Sequence, residues 1–229
     1  MIQNYCNLTL DNMTVEDTNA QYVVSNNCGN ISINNTTINA GSNANQFAFD
    51  VCGYAKYTAG VTVTVSGTSV INGKSGNFKS AGNTELMKLN ITSGTFNGDL
   101  KVDASVGTEN AQSIISVSGG TFSDPSVLKY MATNATVDIK LLSNINIAKT
   151  ELATGYILNA ANATANLNLN GHDIINSSET ADATPFTQIF TVQNGTLNIS
   201  GNGNVKCDAS ATAKAMVNRM VIEAQDTGQ

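Results

Sequence analysis

Acidic side chains are the first candidates for chemistry in this chain, because paired carboxylates can act as general acid and base. The strongest local groups are Glu16–Asp17 and the pair Asp99 and Asp103. Asp99 and Asp103 lie an even number of residues apart, so they could share one strand face with Lys101. Glycoside hydrolysis needs two carboxyl groups about 5–5.5 Å apart for retention or about 6.5–9.5 Å apart for inversion. We expect these acids to be solvated charges on loops and outer faces, and we assign no catalytic residue.

Two residues that catalysis or metal binding would use occur only once each. His172 is the only histidine and Arg219 is the only arginine. A Ser/His/Asp triad would have to use His172, yet the chain has no G-x-S-x-G nucleophile elbow. No second histidine exists, no cysteine is close in sequence, and Gly171 precedes His172, which favours a turn residue over a zinc ligand. The sequence therefore predicts no metal site, no cofactor and no enzyme activity.

The spacing of three cysteines predicts a stack. Cys6, Cys28 and Cys52 are separated by 22 and 24 residues, close to the repeat period described below. Strands one repeat apart lie about 4.8 Å apart, within the roughly 4.4–6.8 Å between Cα atoms that a disulfide spans. A Cys6–Cys28 disulfide, a Cys28–Cys52 disulfide and a ladder of reduced, buried thiols all remain open. Cys207 is distant in sequence and is not expected to join them.

Two tyrosines mark a candidate contact surface. Tyr54 and Tyr57 flank Lys56 in the segment CGYAKYTAG, which we interpret as a loop between repeats. Exposed tyrosines can stack on sugars or contact a protein partner. A purely structural loop is the alternative interpretation.

The composition excludes several classes of protein. Thirty-two Asn, 26 Thr, 19 Ser and 19 Gly make up 96 of the 229 residues, whereas only 12% of the chain is charged. No apolar run approaches the roughly 20 residues that span a bilayer, so no membrane insertion is expected. Eleven basic residues and a net charge of −6 give no footprint for nucleic acid. An apolar fraction of 41% argues against disorder.

An alternating pattern of apolar and polar residues repeats along the chain. Each copy reads apolar, polar, apolar, any residue, Gly/Asn/Ser, any residue, Thr/Ser/Asp, apolar, and period-two alternation is typical of a strand with one buried face. The copies begin at Leu8, Ile31, Val63, Leu89, Ile115, Leu167 and Phe190, with a longer version at Ile139. Their average spacing of about 26 residues indicates a solenoid, a propeller or an array.

The repeat favours a parallel β-helix over the other repeat folds. A propeller blade needs about 40 residues and four strands, which this repeat cannot supply. Gly and Asn enter the left-handed backbone region most readily, so we predict a left-handed bend at the fifth position of each copy. Those positions are Asn12, Asn35, Gly67, Ser93, Gly119, Gly171 and Asn194. Stacked asparagines can form side-chain ladders. The sequence thus predicts an all-β fold of about eight or nine coils. The residues expected to point inward are Leu8, Leu10, Ile31, Ile33, Val63, Val65, Leu89, Ile91, Ile115, Val117, Leu167 and Leu169.

Two segments resemble known families of β-helix protein. LNLNGHDII is similar to a segment of right-handed parallel β-helix proteins in the pectate-lyase-like superfamily. ISVSGGTFSDPSVLKYMA resembles a segment of repetitive adhesin-like surface proteins of gut bacteria and of some phage fibres. The resemblance implies one right-handed β-helix domain over 1–229, in which 1–133 form one repeat unit and 134–229 begin a second, truncated unit.

The resemblance also implies a function class. We expect a non-enzymatic extracellular module, namely a stalk or display surface of an adhesin-like or fibre protein on a cell or a virion. A host glycan or a surface protein is the expected partner. A polysaccharide-active lyase or hydrolase, or a phage tailspike, is the alternative on the same scaffold. Two carboxylates that converge within about 10 Å in a groove would favour that alternative.

The ends and interruptions of the repeat give further expectations. Pro125 behind Ser123 or Asp124 predicts one or two helical turns, and 209–220 is either a second helix or a loop. The N-terminal segment lacks the charged and apolar regions of a signal peptide, and we expect the chain to be a piece of a longer protein. End coils expose unpaired N–H and C=O groups, so we expect further coils, a cap or a subunit of a homo-oligomer to cover them.

Overall fold

The computed structural model describes residues 1–54, 59–81, 87–102, 114–147, 155–176, 189–207 and 222–224. Strands dominate these residues, and each sheet is built from parallel pairs. The alternating pattern explains this architecture, because each polar–apolar run can bury one face against the runs above and below it. The all-β class is therefore confirmed, and the stacked parallel strands are compatible with the predicted β-helix.

In the N-terminal region, residues 2–122, the chain passes through three sheets in rotation. Sheet 1 contains β1 (Ile2–Asn4), β4 (Tyr22–Asn26), β7 (Phe47–Tyr54), β10 (Ser75–Ala81) and β13 (Leu100–Val102). Sheet 2 contains β2 (Leu8–Asp11), β5 (Gly29–Asn34), β8 (Val61–Ser66), β11 (Met87–Ile91) and β14 (Ile115–Val117). Sheet 3 begins with β3 (Thr14–Asp17), β6 (Thr37–Ala40), β9 (Val70–Asn72), β12 (Thr95–Asn97) and β15 (Thr121–Phe122). One passage through the three sheets is termed a circuit.

The strand pattern changes after β15. A 3-10 helix, Pro125–Tyr130, follows, and the side chain of Asp124 caps it by accepting the Ser126 N–H at 2.7 Å, as one of the two predicted caps. In the C-terminal region, residues 136–224, the described strands alternate between sheet 3 and a further sheet 4. Sheet 3 continues with β16 (Thr136–Lys140), β18 (Tyr156–Asn168), β20 (Phe190–Ser200) and β22 (Ile222–Ala224). Sheet 4 contains β17 (Ile145–Ile147), β19 (Ile174–Asn176) and β21 (Val205–Cys207). The candidate helix 209–220 lies outside the described residues.

The apolar side chains of the alternating pattern form the interior. The predicted inward positions are buried from Leu10 through Leu169, and Leu8 is half-buried and packs against the same core. Both Leu8 and Leu10 lie on β2, the edge strand of sheet 2, but only Leu10 is fully buried. Aromatic rings also stack from strand to strand: Phe96 and Phe122 have ring centroids 5.1 Å apart, and Tyr156 and Phe190 have centroids 5.5 Å apart.

The predicted left-handed bends are partly confirmed. Positive φ angles occur at the fifth position of four copies: Asn12, Asn35, Gly67 and Gly171. At three other copies the prediction is wrong by one residue, because the glycine that follows adopts the positive φ instead: Gly94, Gly120 and Gly195. A glycine has no Cβ to clash in this region, so Gly94 and Gly195 take the bend in place of Ser93 and Asn194. Glycine occupies both positions at 119 and 120, so residue type does not decide between them there.

Strand register tests how the copies stack. The five copies of the N-terminal region stack as predicted, through the pairs Leu8–Ile31, Ile31–Val63, Val63–Leu89 and Leu89–Ile115. In the C-terminal region Ile139 pairs with Leu167 as predicted. Two predicted alignments are wrong, because Ile139 stacks on Phe122 rather than on Ile115, and Leu167 stacks on Ile199 rather than on Phe190.

Candidate functional site

Sheet 1 carries polar side chains on the face opposite the core. Phe49 and Val51 of β7 belong to the core, so alternation directs Asp50 and Cys52 to the other face. The register pairs Gln3 of β1 with Ser25 of β4, and the Ser25 hydroxyl contacts Asp50 of β7. Three neighbouring strands therefore bring Gln3, Ser25 and Asp50 into one row.

This row lines a cavity of about 340 Å³. The side chains around it are mostly polar and come from the first three circuits: Met1, Gln3, Gln21, Tyr22, Ser25, Asn27, Asp50 and Cys52. The Tyr22 ring stacks on Phe47 with a centroid separation of 5.7 Å, which fixes one wall. We term this space the sheet-1 cavity.

Asp50 is the only carboxylate among the described residues that line the sheet-1 cavity. Its side chain is 4% exposed. One carboxyl oxygen, Oδ1, accepts the Asn26 backbone N–H at 2.7 Å, whereas Oδ2 accepts the Ser25 hydroxyl at only 3.4 Å. The Asn27 amide donates to that hydroxyl at 3.4 Å, so a chain of hydrogen bonds ends on the carboxylate.

Burial raises the pKa of Asp50 to about 7, although the hydrogen bonds from Asn26 and Ser25 act in the opposite direction. Desolvation disfavours the charged form of a carboxyl group, and a nearby cation would counter it. The salt bridges between described residues join the Met1 amino group to Asp17 and Lys206 to Asp173, and neither involves Asp50. Asp50 is thus a buried carboxyl group without a cationic partner among the described residues.

A second carboxyl group with a raised pKa lies at the end of β15. Burial raises the pKa of Asp124 to about 6, and the neighbouring Asp99, which shares a hydrogen bond with it, adds to the shift. The strand register explains this contact. Phe96 pairs with Phe122, so Asp99 and Asp124, which follow them by three and two residues, come close together. The predicted partner of Asp99, Asp103, lies outside the described residues, as does the side chain of Lys101.

The other predicted acidic group serves local structure. Glu16 accepts the Asn39 amide at 2.9 Å on the outer face of sheet 3. Asp17 accepts the backbone N–H groups of Asn19 and Ala20, and these bonds and the Met1 amino group lower its pKa. The two acids therefore hold neighbouring backbone and side chains, in agreement with the expectation of solvated outer-face charges.

The structure brings two of the three predicted thiols close together. Register pairs Asn4 with Asn26, and two residues further along each strand this places Cys6 beside Cys28. The Asn4 amide donates to the carbonyl oxygens of both, at 2.6 Å and 3.0 Å. All three thiols are free, and Cys6 is exposed whereas Cys28 is half-buried.

The third thiol lies elsewhere on sheet 1. Register pairs Val24 with Phe49, and three residues further along this places the buried Cys52 beside Asn27 rather than beside Cys28. Both Cys52 and Asn27 line the sheet-1 cavity. The formation of a disulfide by any of the thiols stays a prediction.

The remaining candidates do not converge on a site among the described residues. Tyr54 ends β7, but its side chain, Tyr57 and Arg219 lie outside those residues. His172 occupies the bend after Gly171, where its backbone N–H donates to Leu169 at 2.8 Å, as expected for a turn residue. Within the part of the chain that the structure describes, no group of three or more His, Cys, Asp or Glu side chains could hold a metal ion. Nor does that part contain a helix with the length and apolar character needed to cross a membrane.

Amide ladders cover the outer face of sheet 3. In the first four circuits Asn97 donates to Asn72, Asn72 to Asn39 and Asn39 to Glu16, at 2.8–2.9 Å. In the C-terminal region Asn198 donates to Asn166 at 2.9 Å and Asn166 donates to Asp138 at 3.0 Å. Each ladder begins at a carboxylate, which can only accept, so every amide donates toward the N-terminus of the chain.

Comparison with known proteins found no relative of this chain. No family model, no curated protein and no solved structure matches this chain. The function is therefore inferred from the residues and their geometry.

The sheet-1 cavity was not predicted from the sequence. Its best signal is the lone acid in the apolar run FAFDV, where an outward-facing position of a strand would ordinarily be exposed. The sequence predicts Asp124 only as a helix cap. Its contact with Asp99 joins residues one full circuit apart, which no local pattern reveals.

Proposed function

We propose that this chain is a right-handed parallel β-helix of about eight or nine coils that serves as a non-enzymatic extracellular module. Its role is that of a stalk or display surface in an adhesin-like protein of a cell or in a fibre of a virion. Host glycans or surface proteins are its proposed partners. Further coils of a longer chain, or a second subunit, would cover its end strands.

The observation that carries this proposal is the in-register stacking of the first five circuits. Apolar residues repeat at the same inward positions, and amides repeat at the same outward positions. In such a stack each circuit supports the next one, because every strand except those at the two edges of a sheet pairs with a strand on both sides. A rigid scaffold that tolerates variable loops suits display more than catalysis.

The proposal is tested by locating the natural protein on its source. Antibodies raised against this chain are applied to intact cells or virions and, as a control, to permeabilised or disrupted samples. We expect labelling of the intact samples. Labelling that appears only after permeabilisation or disruption would contradict the extracellular assignment.

The alternative, a polysaccharide-active enzyme, would need two carboxyl groups close together, and the structure brings Asp99 and Asp124 together. The pair is in direct hydrogen-bond contact, however, which is closer than the roughly 5–9.5 Å that a sugar or water between two catalytic carboxyls requires. Asp124 is also committed to capping the 3-10 helix. A proton that the two carboxyl groups share, and that stabilises this turn, accounts for both the contact and the cap.

Purified chain is incubated with pectin, capsular polysaccharide and mucin glycans to test the alternative. We expect no depolymerisation. Cleavage that is lost in Asp99→Asn and retained in Asp173→Asn, a change at a half-buried carboxylate that pairs with Lys206, would establish the enzyme instead.

A further inference from the structure

We propose that the sheet-1 cavity binds a small organic molecule through a primary ammonium group, with the Asp50 carboxylate as its counter-ion. This inference goes beyond the scaffold role and does not depend on it. It rests on the charge, the hydrogen bonding and the size of the cavity.

Among the residues that the structure describes, nothing balances the charge of the site without a ligand. Asp50 is buried, yet neither salt bridge among the described residues reaches it. Buried carboxylates are ordinarily paired with a cation, because an unpaired buried charge is costly. A ligand cation that enters the adjoining cavity would supply the missing charge, and an anion would be repelled.

The hydrogen bonding of Asp50 leaves room for a donor. An ionised carboxylate offers about four acceptor positions. Asn26 occupies one with a short bond, and the Ser25 hydroxyl approaches Oδ2 only at 3.4 Å, near the limit of a hydrogen bond. An ammonium group has three donors, so it can bind Oδ2 and keep two donors for other acceptors. Gln3, Gln21 and Asn27, which line the same cavity, each carry an amide oxygen that can accept a hydrogen bond.

The donor set favours an organic cation over a metal ion. Calcium takes 6–8 oxygen ligands, typically with several carboxylates, whereas the described wall of this cavity contains Asp50 as its one carboxylate. A volume of about 340 Å³ lies at the lower end of the range for small-molecule sites, about 300–1,000 Å³. The cavity therefore suits a compact amine or a single amino sugar.

The test compares two probes that differ in the ammonium group alone. Glucosamine and glucose are titrated separately into the full chain near neutral pH, and binding is followed by calorimetry and by chemical-shift changes of the amides of β4 and β7. We expect saturable glucosamine binding with a dissociation constant of about 1–10 mM. Glucose should bind at least about 10-fold more weakly, because it lacks the charge that pairs with Asp50. Equal binding of the two sugars, or no saturation by about 50 mM glucosamine, would overturn the proposal.

Three variants assign the binding to the carboxylate. Asp50→Asn keeps the shape of the side chain but removes its charge, and we expect it to weaken glucosamine binding at least about 10-fold. Ser25→Ala keeps the carboxylate but removes a hydroxyl group from the cavity wall, so it should keep the preference for glucosamine over glucose. Asp173→Asn alters a carboxylate that pairs with Lys206 and does not line the cavity, and it should leave the affinity unchanged.

The variants also keep the proposal falsifiable if one of them folds poorly. Thermal unfolding of each variant is measured before titration. If Asp50→Asn does not fold, the comparison of glucosamine with glucose on the parent chain and on Ser25→Ala decides. Undiminished binding in a folded Asp50→Asn, or loss of the preference for glucosamine over glucose in a folded Ser25→Ala, would show that Asp50 is not the counter-ion.

Discussion

The two regions of the molecule use the same alternating pattern in different ways. In the N-terminal region the first strand of each copy lies in sheet 2 and the second lies in sheet 3. In the C-terminal region the copies at Ile139 and Leu167 place their first strand in sheet 3 and their second in sheet 4. Alternation therefore decides which side chains face inward, whereas the connections between copies decide which sheet receives them.

The junction between the regions shows how the change occurs. After β15 the chain forms the 3-10 helix, which buries Val127, Leu128 and Tyr130. Met131 then bridges to Val117 at the edge of sheet 2, where the next full strand would otherwise add. The following alternating run accordingly pairs with β15 in sheet 3. A short apolar helix thus takes the place of strands and shifts the copies at Ile139 and Leu167 by one sheet.

The largest effect is expected from deleting a core side chain at equivalent positions of the two regions. Leu89 and Leu167 both open a copy, and both are 0% exposed. Changing either one to Ala should lower the free energy of unfolding by roughly 3–5 kcal/mol, through lost burial and a cavity. Urea denaturation measures both values under the same conditions.

The control for this pair is Leu142→Ala, because Leu142 is 55% exposed and should contribute little. We expect a change within about 0.5 kcal/mol for it. A Leu167→Ala cost as small as that of the control would mean that the two regions do not bury their copies equally.

The pH dependence of stability should differ between Asp50 in the N-terminal region and Asp173 in the C-terminal region. Asp50 has its pKa raised to about 7 by burial, whereas Asp173, which is half-buried, has its pKa lowered by Asn204 and Lys206. The folded state holds the Asp50 proton more tightly than the unfolded state, whose ordinary value is 3.8. Stability contributed by this group is therefore complete below about pH 4 and is lost as the pH rises to about 7.

Asp50→Asn should remove that loss, because an amide does not ionise. We expect the variant to be more stable than the parent chain at alkaline pH by on the order of 4 kcal/mol at most, and nearly equal to it below pH 4. Asp173→Asn should show the opposite sign, because a lowered pKa stabilises the fold above the ordinary value. Denaturant unfolding across the pH range tests both, and parallel profiles for Asp50→Asn and the parent would refute the assignment.

Local patterns in the sequence predicted the inward residues, most left-handed bends and the capped turn at Pro125. Each depends on residues within one copy: the alternation around Leu89, the φ preference of Asn35, or Asp124 before a proline. Period and backbone preference act over a few residues, so they can be recognised in the sequence alone.

The sheet exchange and the sheet-1 cavity could not be predicted in the same way. Both depend on which residues meet after a full circuit, and circuits differ in length because their loops differ. Phe190 matches the alternating pattern, yet β20 continues through Gly195, and its second half, with Leu197 and Ile199, stacks on Ala165 and Leu167. Likewise, the burial of Asp50 depends on contacts that its own strand does not contain.

A third prediction compares two glycines with nearly the same backbone conformation. Gly29 has φ of +82° and Gly171 has φ of +81°. A Cβ at Gly29 would overlap the backbone carbonyl of Cys6, whereas a Cβ at Gly171 would meet only Asn202 O at 3.7 Å. Gly171→Ala should therefore cost about 1–2 kcal/mol from the left-handed conformation alone.

Gly29→Ala should cost roughly 1–3 kcal/mol more than Gly171→Ala, because it also forces two backbone segments apart. Thermal and urea unfolding of the two variants measure the difference. Equal costs would indicate that the backbone around Gly29 and Cys6 can relax freely. The bends of the N-terminal region would then be no more tightly packed than those of the C-terminal region.

The smallest effect concerns the amide ladders, which the two regions share even though their sheets differ. Asn72 and Asn166 each donate to the preceding residue of a ladder and accept from the next one. Both are half-buried, so water can replace part of what is lost. Changing either residue to Ala should lower the free energy of unfolding by about 1 kcal/mol, the net value of one to two partly solvated hydrogen bonds. We expect the two costs to agree, because each ladder starts at a carboxylate and runs in the same direction. A cost in Asn72→Ala without one in Asn166→Ala, measured by denaturant unfolding, would confine the ladders' contribution to the N-terminal region.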